Sequence, residues 1–265
     1  MKETLGYQKL ITQKILLMER KHFLKNGLAM LGLAAIAPLA NSCTKETVGE
    51  DVTTGTTGAT TTTGTTTSSS GSCSVSPNET AGPFPTKTPS SLVTKDIRSD
   101  RTGLQFTINI TINNSKNSCA ALAGAIVDIW HCDKDGNYSE YGGSGMQSTN
   151  YTSVHFLRGR QTTDANGLVS FTSVFPGWYS GRAPHIHVHV YSATGTSLLV
   201  TQIAFPTDVC NTVYTTATNY YTKGTQDTTN ARDNVFSDSL ASELATVTGS
   251  VSAGYVLSHI ITVAA

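Results

Sequence analysis

The chain has 265 residues, which is enough for one domain with a substantial hydrophobic core and too few for two large domains. Only 14% of the residues are charged, and 18 basic side chains balance 18 acidic ones, so the chain lacks the basic excess of proteins that bind a nucleic-acid backbone. These numbers argue against a nucleic-acid partner and favour one domain with appendages.

The N-terminal residues 1–43 have the order of an export signal. A basic stretch at 20–25 precedes an apolar run over 27–40, and small residues then lead to Cys43. The apolar run is shorter than the roughly 20 residues that cross a bilayer, which favours a signal over a permanent transmembrane helix. Met18 stands directly before the basic stretch and is therefore a candidate for the true start.

Two motifs inside this signal bear on its route and destination. Residues 19–25, ERKHFLK, are similar to a twin-arginine signal with Lys21 in place of the second arginine, so Sec and Tat export both stay open. Residues 39–43, LANSC, are similar to a relaxed bacterial lipobox that ends at Cys43. We predict a lipid anchor at Cys43 and a bacterial-type exported lipoprotein that faces the periplasm or the cell surface.

Residues 44–72 consist mostly of Thr, Gly and Ser. Such a segment has too little apolar surface to offset its ordering entropy, so a disordered tether is expected. The tether would hold a folded domain, residues 73–265, away from a membrane.

Four cysteines remain in the predicted domain: Cys73, Cys119, Cys132 and Cys210. An even number in an exported chain favours two disulfides, and the sequence leaves all three pairings open. No two of the four have the CxxC spacing of a metal site. Buried free thiols are the alternative.

From residue 73 onward, apolar side chains recur mostly at every second position, which is the period of a β-strand. In residues 103–113, GLQFTINITIN, the alternation is almost perfect. Other segments of this character are 123–132, 167–175, 185–191, 197–205 and 255–263. Gly- and Asn-containing turns separate several of them. The pattern predicts an all-β fold, an antiparallel β-sandwich with long loops and one or two short helices.

The region 207–253 departs from this pattern, because it is polar and rich in Thr and Asn. It is interpreted as a long excursion from the sandwich, with a short helix predicted over 237–247. Excursions of this length in a compact domain often pack over a functional site.

The predicted strand 185–191 carries histidines at every second position: His185, His187 and His189. Residues two apart on a strand point to the same face, so His185 and His187 can direct their ring nitrogens to one point. A metal chelate is the functional interpretation, and histidines on a solvated face are the bland one. His189 lies further along the same face.

Imidazole ligands suit zinc, copper, iron and nickel, so other ligands must decide the metal. No HExxH motif marks a zinc hydrolase, whereas Tyr138 and Tyr179 lie at turns beside the predicted strands. A phenol has a pKa of about 10, so tyrosinate at neutral pH needs a strong Lewis acid, such as ferric iron.

Three stretches together resemble the intradiol ring-cleavage dioxygenases, and among them the exported relatives of the protocatechuate 3,4-dioxygenase beta chain. They are VDIWHCDKDGNYSEY (127–141), FLRGRQTTDANGLVSFTSVFPGWYSGRAPHIHVHV (156–190) and TQIAF (201–205). ETAGPFP (79–85) is similar to the family's pocket-lining segment. The resemblance covers roughly residues 73–235. This chain departs from the best-known members in the short segment between Tyr179 and His185.

The resemblance implies a β-sandwich that holds non-haem Fe(III) through Tyr138, Tyr179, His185 and His187. It implies that Tyr179 also accepts a substrate proton, that Arg182 stabilises negative charge on the substrate, and that Gln202 is a pocket partner. On the residues alone, Arg182 could instead only pair with a carboxylate such as Asp128 or Asp133. His131, His155 and His259 are assigned to packing or surface roles, and Trp130 and Trp178 to the core.

The implied reaction is cleavage of a catechol-type ring between its two oxygen-bearing carbons, with both atoms of O2 incorporated and a muconate-type dicarboxylic acid as product. The alternative from another class is a tethered extracytoplasmic β-sandwich module that binds a metal and has no oxygenase activity. The ring substituents and the oligomeric state are left open by the sequence.

Overall fold

The computed structural model describes residues 73–265, and the predicted export signal and tether, residues 1–72, lie outside the described residues. The described part contains nine strands: β1 (Gln105–Asn114), β2 (Ala120–Ala121), β3 (Ile126–Trp130), β4 (Arg158–Thr162), β5 (Leu168–Val174), β6 (His185–Tyr191), β7 (Ser197–Ala204), β8 (Thr246–Ser250) and β9 (Gly254–Val263). It also contains the helices α1 (Thr207–Thr216) and α2 (Leu240–Glu243) and three short 3-10 helices, Pro89–Ser91, Ser115–Asn117 and Asn230–Arg232.

The strands form two sheets. The first, called here the site sheet, has the order β4-β3-β6-β7 and is antiparallel throughout. The second, called here the back sheet, contains β2, β1, β9 and β8, with β5 paired to β1. The ladder between β1 and β9 is parallel. The prediction of an all-β sandwich is confirmed, but the back sheet is mixed rather than purely antiparallel.

The core lies between the sheets and follows the period of two. In β1, Phe106, Ile108, Ile110 and Ile112 are completely buried, whereas their neighbours are only partly covered. In β6, Ile186, Val188 and Val190 enter the same core cluster. The alternation therefore turns His185 and His187 to the other face of the site sheet, where loops cover them.

Strand β4 was not predicted from the sequence, because its residues RGRQT lack apolar alternation. The helix predicted over 237–247 is reduced to the single turn of α2, whereas the longer helix α1 begins directly after β7. Among the described residues, no helix is both long and apolar enough to span a bilayer.

The prediction of two disulfides is wrong. Cys73 and Cys119 form a disulfide, whereas Cys132 and Cys210 are buried free thiols. Cys132 packs in a small cluster with Trp130 and Tyr138, but Cys210 lies in the main core, so each thiol is enclosed separately. Burial raises the pKa of both thiols, which makes them unreactive packing residues.

Candidate metal centre

The candidate residues meet on the outward face of the site sheet. The structure brings together Tyr138, Tyr179, Arg182, His185, His187 and Gln202. The register of the site sheet fixes the centre of the group, because His187 lies opposite Trp130 on β3 and opposite Gln202 on β7. His185 and His187 are nearly or completely buried, with exposed fractions of 2% and 0%.

Three donor atoms converge at this place. The Nε2 atoms of His185 and His187 are 3.2 Å apart, and the Oη atom of Tyr138 lies 3.3 Å from Nε2 of His185. Such separations fit donors that each lie about 2.1 Å from a single ion. His189 is not part of this group: its Nε2 atom contacts Ser197 Oγ at 2.8 Å, further along the strand.

The ring of His185 presents a lone pair to the convergence point. His185 Nδ1 lies 2.6 Å from the carbonyl oxygen of Ala183, so Nδ1 carries the proton and Nε2 is free to coordinate. Burial, followed by the charge of Arg182, lowers the pKa of His185 to about 3. Burial also lowers the pKa of His187 well below its usual value. Both rings are therefore neutral at pH 7, which is the state that binds a metal.

The ring of His187 is held between two surfaces. The Trp130 indole stacks on it with the ring planes 2° apart and the centroids 4.9 Å apart. The backbone of Gly82 covers it on another side, and a Cβ atom at Gly82 would be 2.8 Å from His187 Cε1. Trp130, which was assigned to the core, therefore also orients a candidate ligand.

Tyr138 follows β3 at the end of a tight turn, in which the Asp133 carboxylate accepts hydrogen bonds from the backbone N–H groups of Asp135 and Asn137. Gln147 accepts a hydrogen bond from the Tyr138 N–H group at 2.6 Å and donates to its carbonyl oxygen at 2.9 Å. The Phe84 ring stacks on the Tyr138 ring at 4.8 Å. These contacts hold the phenol in a single direction.

Arg158 anchors the two segments that meet around Tyr138. Its guanidinium, which is 1% exposed, donates to the Ser139 carbonyl oxygen at 2.6 Å and to the Phe84 carbonyl oxygen at 2.9 Å. It also lies 5.9 Å from the centre of the Tyr138 ring. The turn that carries Tyr138 is thus fixed to the segment that covers it.

Tyr179 is the one partly exposed member of the four candidate ligands. Its ring centroid lies 5.6 Å from that of His185 and 5.9 Å from that of Tyr138. It also lines a cleft of about 380 Å³ that opens to solvent. Burial raises the pKa of Tyr138 and Tyr179, so neither phenol ionises near pH 7 without a cation beside it.

Arg182 lines the same cleft and is fixed by two partners. Its Nε group donates to both carboxylate oxygens of Asp233, at 3.0 and 2.8 Å, and its Nη2 group donates to Gln202 Oε1 at 2.6 Å. Gln202 Nε2 in turn donates to the Thr80 carbonyl oxygen at 2.8 Å.

The alternative pairing of Arg182 with Asp128 or Asp133 is wrong. Asp128 pairs with Arg160, and Asp133 lies 3.5 Å from Arg101. The carboxylate partner of Arg182, Asp233, was not singled out in the sequence. It lies 51 residues further along the chain, in the excursion that follows α1, and no local motif connects the two.

The donor set decides which ion fits. Among the described residues, no group of three or more His, Cys, Asp and Glu side chains can hold a metal ion. The oxygen donor beside the histidine pair is the Tyr138 phenol, and phenolate donors suit a hard, strongly acidic ion such as Fe(III). The residues present fit that ion.

Comparisons with known proteins identify the family. The family model described as "Dioxygenase" matches residues 84–235, which is more than half of the chain. The chain therefore belongs to the intradiol ring-cleavage dioxygenase family. A chlorocatechol 1,2-dioxygenase from Rhodococcus opacus is 28% identical over an alignment of 134 residues, and the match covers 43% of this chain and 49% of that protein. The chain thus matches about half the length of this curated relative.

Solved structures show the same fold. An intradiol ring-cleavage dioxygenase from Tetranychus urticae is 26% identical with a TM-score of 0.64, over 72% of this chain and 95% of that chain. The dioxygenase domain of a dioxygenase carbohydrate-binding protein fusion from Streptomyces sp. SirexAA-E is 21% identical with a TM-score of 0.53, over 71% of this chain and 97% of that chain. The second similarity is one of fold alone.

Proposed function

We propose that the protein is a non-haem Fe(III)-dependent intradiol dioxygenase, which cleaves a catechol-type ring with O2 and gives a muconate-type dicarboxylic acid. The observation that carries the proposal is the convergence of the Tyr138 Oη atom with the Nε2 atoms of His185 and His187, beside a cleft that Tyr179 lines. Membership of the dioxygenase family and the name of the curated relative support it. The reaction is balanced without a further reductant, because both atoms of O2 enter the product.

Tyr138, Tyr179, His185 and His187 would hold the iron. When bound there, ferric iron supplies the Lewis acidity that makes phenol and catechol hydroxyls acidic at neutral pH. The buried pair His185 and His187 would provide neutral donors of fixed direction. Tyr138 would be the fixed phenolate, since it is completely buried and its backbone is held by Gln147.

Tyr179 would be the more accessible phenol of the two. It is partly exposed and lines the cleft, so its oxygen would be placed to accept a proton from a catechol hydroxyl. The hydrogen bonds from Arg182 to Asp233 and Gln202 fix its guanidinium in the cleft wall, where it would stabilise negative charge on the substrate oxygens. These roles are proposals for this chain's own residues.

The test is direct. Iron-loaded protein should show a visible tyrosinate-to-Fe(III) charge-transfer band, and it should consume one O2 for each catechol converted to a dicarboxylic acid. Tyr138→Phe and Tyr179→Phe should each shift or weaken the band. An iron-loaded protein that has no such band and leaves catechol, hydroxyquinol and protocatechuate unchanged would instead support the metal-binding module without oxygenase activity.

We also propose that the protein acts outside the cytoplasm, attached through a lipid at Cys43. The disulfide between Cys73 and Cys119 supports an oxidising compartment, because such bonds rarely persist in the cytosol. Metabolic labelling with radioactive palmitate should label the wild-type protein and not the Cys43→Ser variant. An unlabelled wild-type protein would exclude the anchor.

A further inference from the structure

We propose that the active-site cleft accepts catechols whose ring substituents are uncharged and discriminates against catechols that carry a carboxylate. This inference rests on the proposed function, since it names the substrate class of the same site. It is carried by the charges that surround the cleft.

The cleft wall is mostly uncharged. Pro83, Met146 and Val235 provide apolar surface, and Thr80 and Asn234 provide polar groups without charge. Among the residues that line the cleft, Arg182 is the single charged side chain. A substituent on a bound ring therefore meets either apolar surface or the neighbourhood of Arg182.

The positive charge of Arg182 is paired with the carboxylate of Asp233. Asp233 is completely buried, and its carboxylate accepts both hydrogen bonds from the Arg182 Nε group. The same carboxylate also accepts from the backbone N–H groups of Ala183, at 2.7 Å, and Val235, at 2.9 Å. Because Arg182 already has this partner, a carboxylate on the ring of a substrate gains less from it than it would gain from an unpaired cation.

Further carboxylates surround the cleft. Asp227 accepts from the Ser180 hydroxyl at 2.6 Å and from the Gly181 N–H group at 3.2 Å, and both of these residues line the cleft. Glu79 lies next to the cleft-lining Thr80. Burial raises the pKa of Glu79, the nearby charge of Asp238 raises it further, and the charge of Arg182 lowers it.

Another cation near the site, Lys223, is directed elsewhere. Lys223 donates to the Trp178 carbonyl oxygen at 2.9 Å and covers the Trp178 ring at 4.0 Å. It lines a smaller neighbouring cleft of about 200 Å³, together with Asp135. The cleft beside Tyr179 is therefore lined by one matched cation and bordered by additional anions. A ring carboxylate that leaves water for this cleft loses hydration and finds no unpaired cationic side chain among the lining residues.

The experiment compares 3,4-dihydroxybenzoate with 3,4-dihydroxybenzamide, which have nearly the same shape and differ in charge. For the iron-loaded protein, kcat/KM should be at least about tenfold higher for the amide. Unsubstituted catechol should behave like the amide. Anaerobic titration of the visible band gives Kd for each compound, and the Kd values should differ in the same direction without any turnover.

Asn234→Lys provides the matched variant. Asn234 is exposed and lines the cleft, so a lysine there adds a cation at the mouth without disturbing the core. The preference for the amide should fall by at least about threefold, and this change should shrink at high salt because exposed charges are screened. Asp208→Asn, at an exposed position in α1 outside the cleft, makes the same change in net charge and should leave the preference unaltered.

The outcomes separate the two proposals. Cleavage of catechol together with equal or better cleavage of 3,4-dihydroxybenzoate would overturn this inference and leave the proposed function intact. An unchanged preference in Asn234→Lys would show that charge is not the cause and would also overturn it. Failure to cleave any of the three compounds would overturn the proposed function, and this inference with it.

Discussion

At the scale of single residues, the site depends on a close approach of backbone to imidazole. Gly82 has a φ of +68° and lies against the His187 ring, where any side chain would meet Cε1 at 2.8 Å and Nε2 at 3.3 Å. Two properties of glycine are thus used at once, the left-handed backbone conformation and the missing Cβ atom. The missing Cβ atom matters for the candidate metal centre, because a side chain at Gly82 would press on His187 Nε2, a candidate donor atom.

Gly82→Ala should lower the affinity for iron by at least about tenfold, because the new methyl group pushes His187 Nε2 from its direction. It should also cost about 1–2 kcal/mol of unfolding free energy. Affinity is measured by competition with a chelator. Gly195→Ala is the control, since Gly195 has a φ of +86° with nothing within 4 Å of its added Cβ atom. Equal iron affinities in the two variants would contradict the prediction.

Asp233→Asn should reduce catechol turnover while the visible iron band is retained. The variant removes a buried negative charge that holds Arg182, and breaking such a pair costs about 3 kcal/mol of unfolding free energy. Because the hydrogen bonds of Asp233 go to Arg182 and to the backbone of Ala183 and Val235, kcat/KM should fall by about 10- to 100-fold while the visible band persists. A loss of the band would show that Asp233 supports the metal donors rather than Arg182.

The sequence predicted some of these residues better than others. Tyr179, His185 and His187 lie within nine residues, and the period of a strand places both histidines on one face. Trp130 was assigned to the core, and its contact with His187 was not predicted. That contact depends on the pairing of β3 with β6, which the local sequence does not specify. Asp233 was not predicted because its partner is 51 residues away and joined to it only by tertiary packing.

At the scale of elements, the alternating strands were predicted within a few residues because each buries one continuous apolar face. β4 was missed because its alternate positions carry Arg158 and Arg160, which share one face of the strand and find polar partners in Ser139 and Asp128. The predicted helix over 237–247 is mostly absent, because Thr246 onward pairs with β9 instead. Sheet pairing overrode the local helical pattern there.

Two interactions attach the start of the described chain to the back sheet. They are the Cys73–Cys119 disulfide and a hydrogen bond from the Ser76 N–H group to the Thr262 carbonyl oxygen. The two cysteines are 46 residues apart, so loss of the bond by Cys119→Ser should cost about 4 kcal/mol of unfolding free energy on the chain-entropy estimate. Urea unfolding measures the loss. The visible iron band should be unchanged, since the bond lies at the back sheet.

A reductant provides the control for this prediction. Dithiothreitol should lower the stability of the wild-type protein toward that of Cys119→Ser and have no further effect on the variant. The two remaining thiols of the described part, Cys132 and Cys210, are buried and unpaired, so reduction does not alter them. If reductant does not lower the stability of the wild-type protein, the disulfide does not stabilise the fold and the prediction is wrong.

At the scale of the whole molecule, the two faces of the site sheet have separate tasks. One face packs the sandwich core, and the other carries the candidate ligands beneath the segments that include Gly82, Tyr138 and Tyr179. Another buried histidine, His131, lies outside the candidate metal centre. His131 is 1% exposed and contacts the Cys132 carbonyl oxygen at 2.8 Å and the Ser173 hydroxyl at 2.7 Å. It is thus a structural imidazole enclosed in the neutral form.

His131 makes the stability of the metal-free protein sensitive to acid. Burial lowers its pKa to about 4, from an unfolded value near 6.5, so the unfolded chain binds more protons between these values. The free energy of unfolding therefore falls as the pH drops from 7 to 4, by about 3 kcal/mol from this group. Urea unfolding of the metal-free protein at both pH values measures the loss.

His131→Asn isolates this contribution. Asparagine can still donate to the Cys132 carbonyl oxygen but has no proton to gain, so the variant should be less stable at pH 7 and lose about 3 kcal/mol less on acidification than the wild type. His185 and His187, whose pKa values burial also lowers, are present in both proteins and cancel in the comparison. Equal losses in the two proteins would mean that His131 is protonated in the fold, against its enclosure by Ser173 and Cys132.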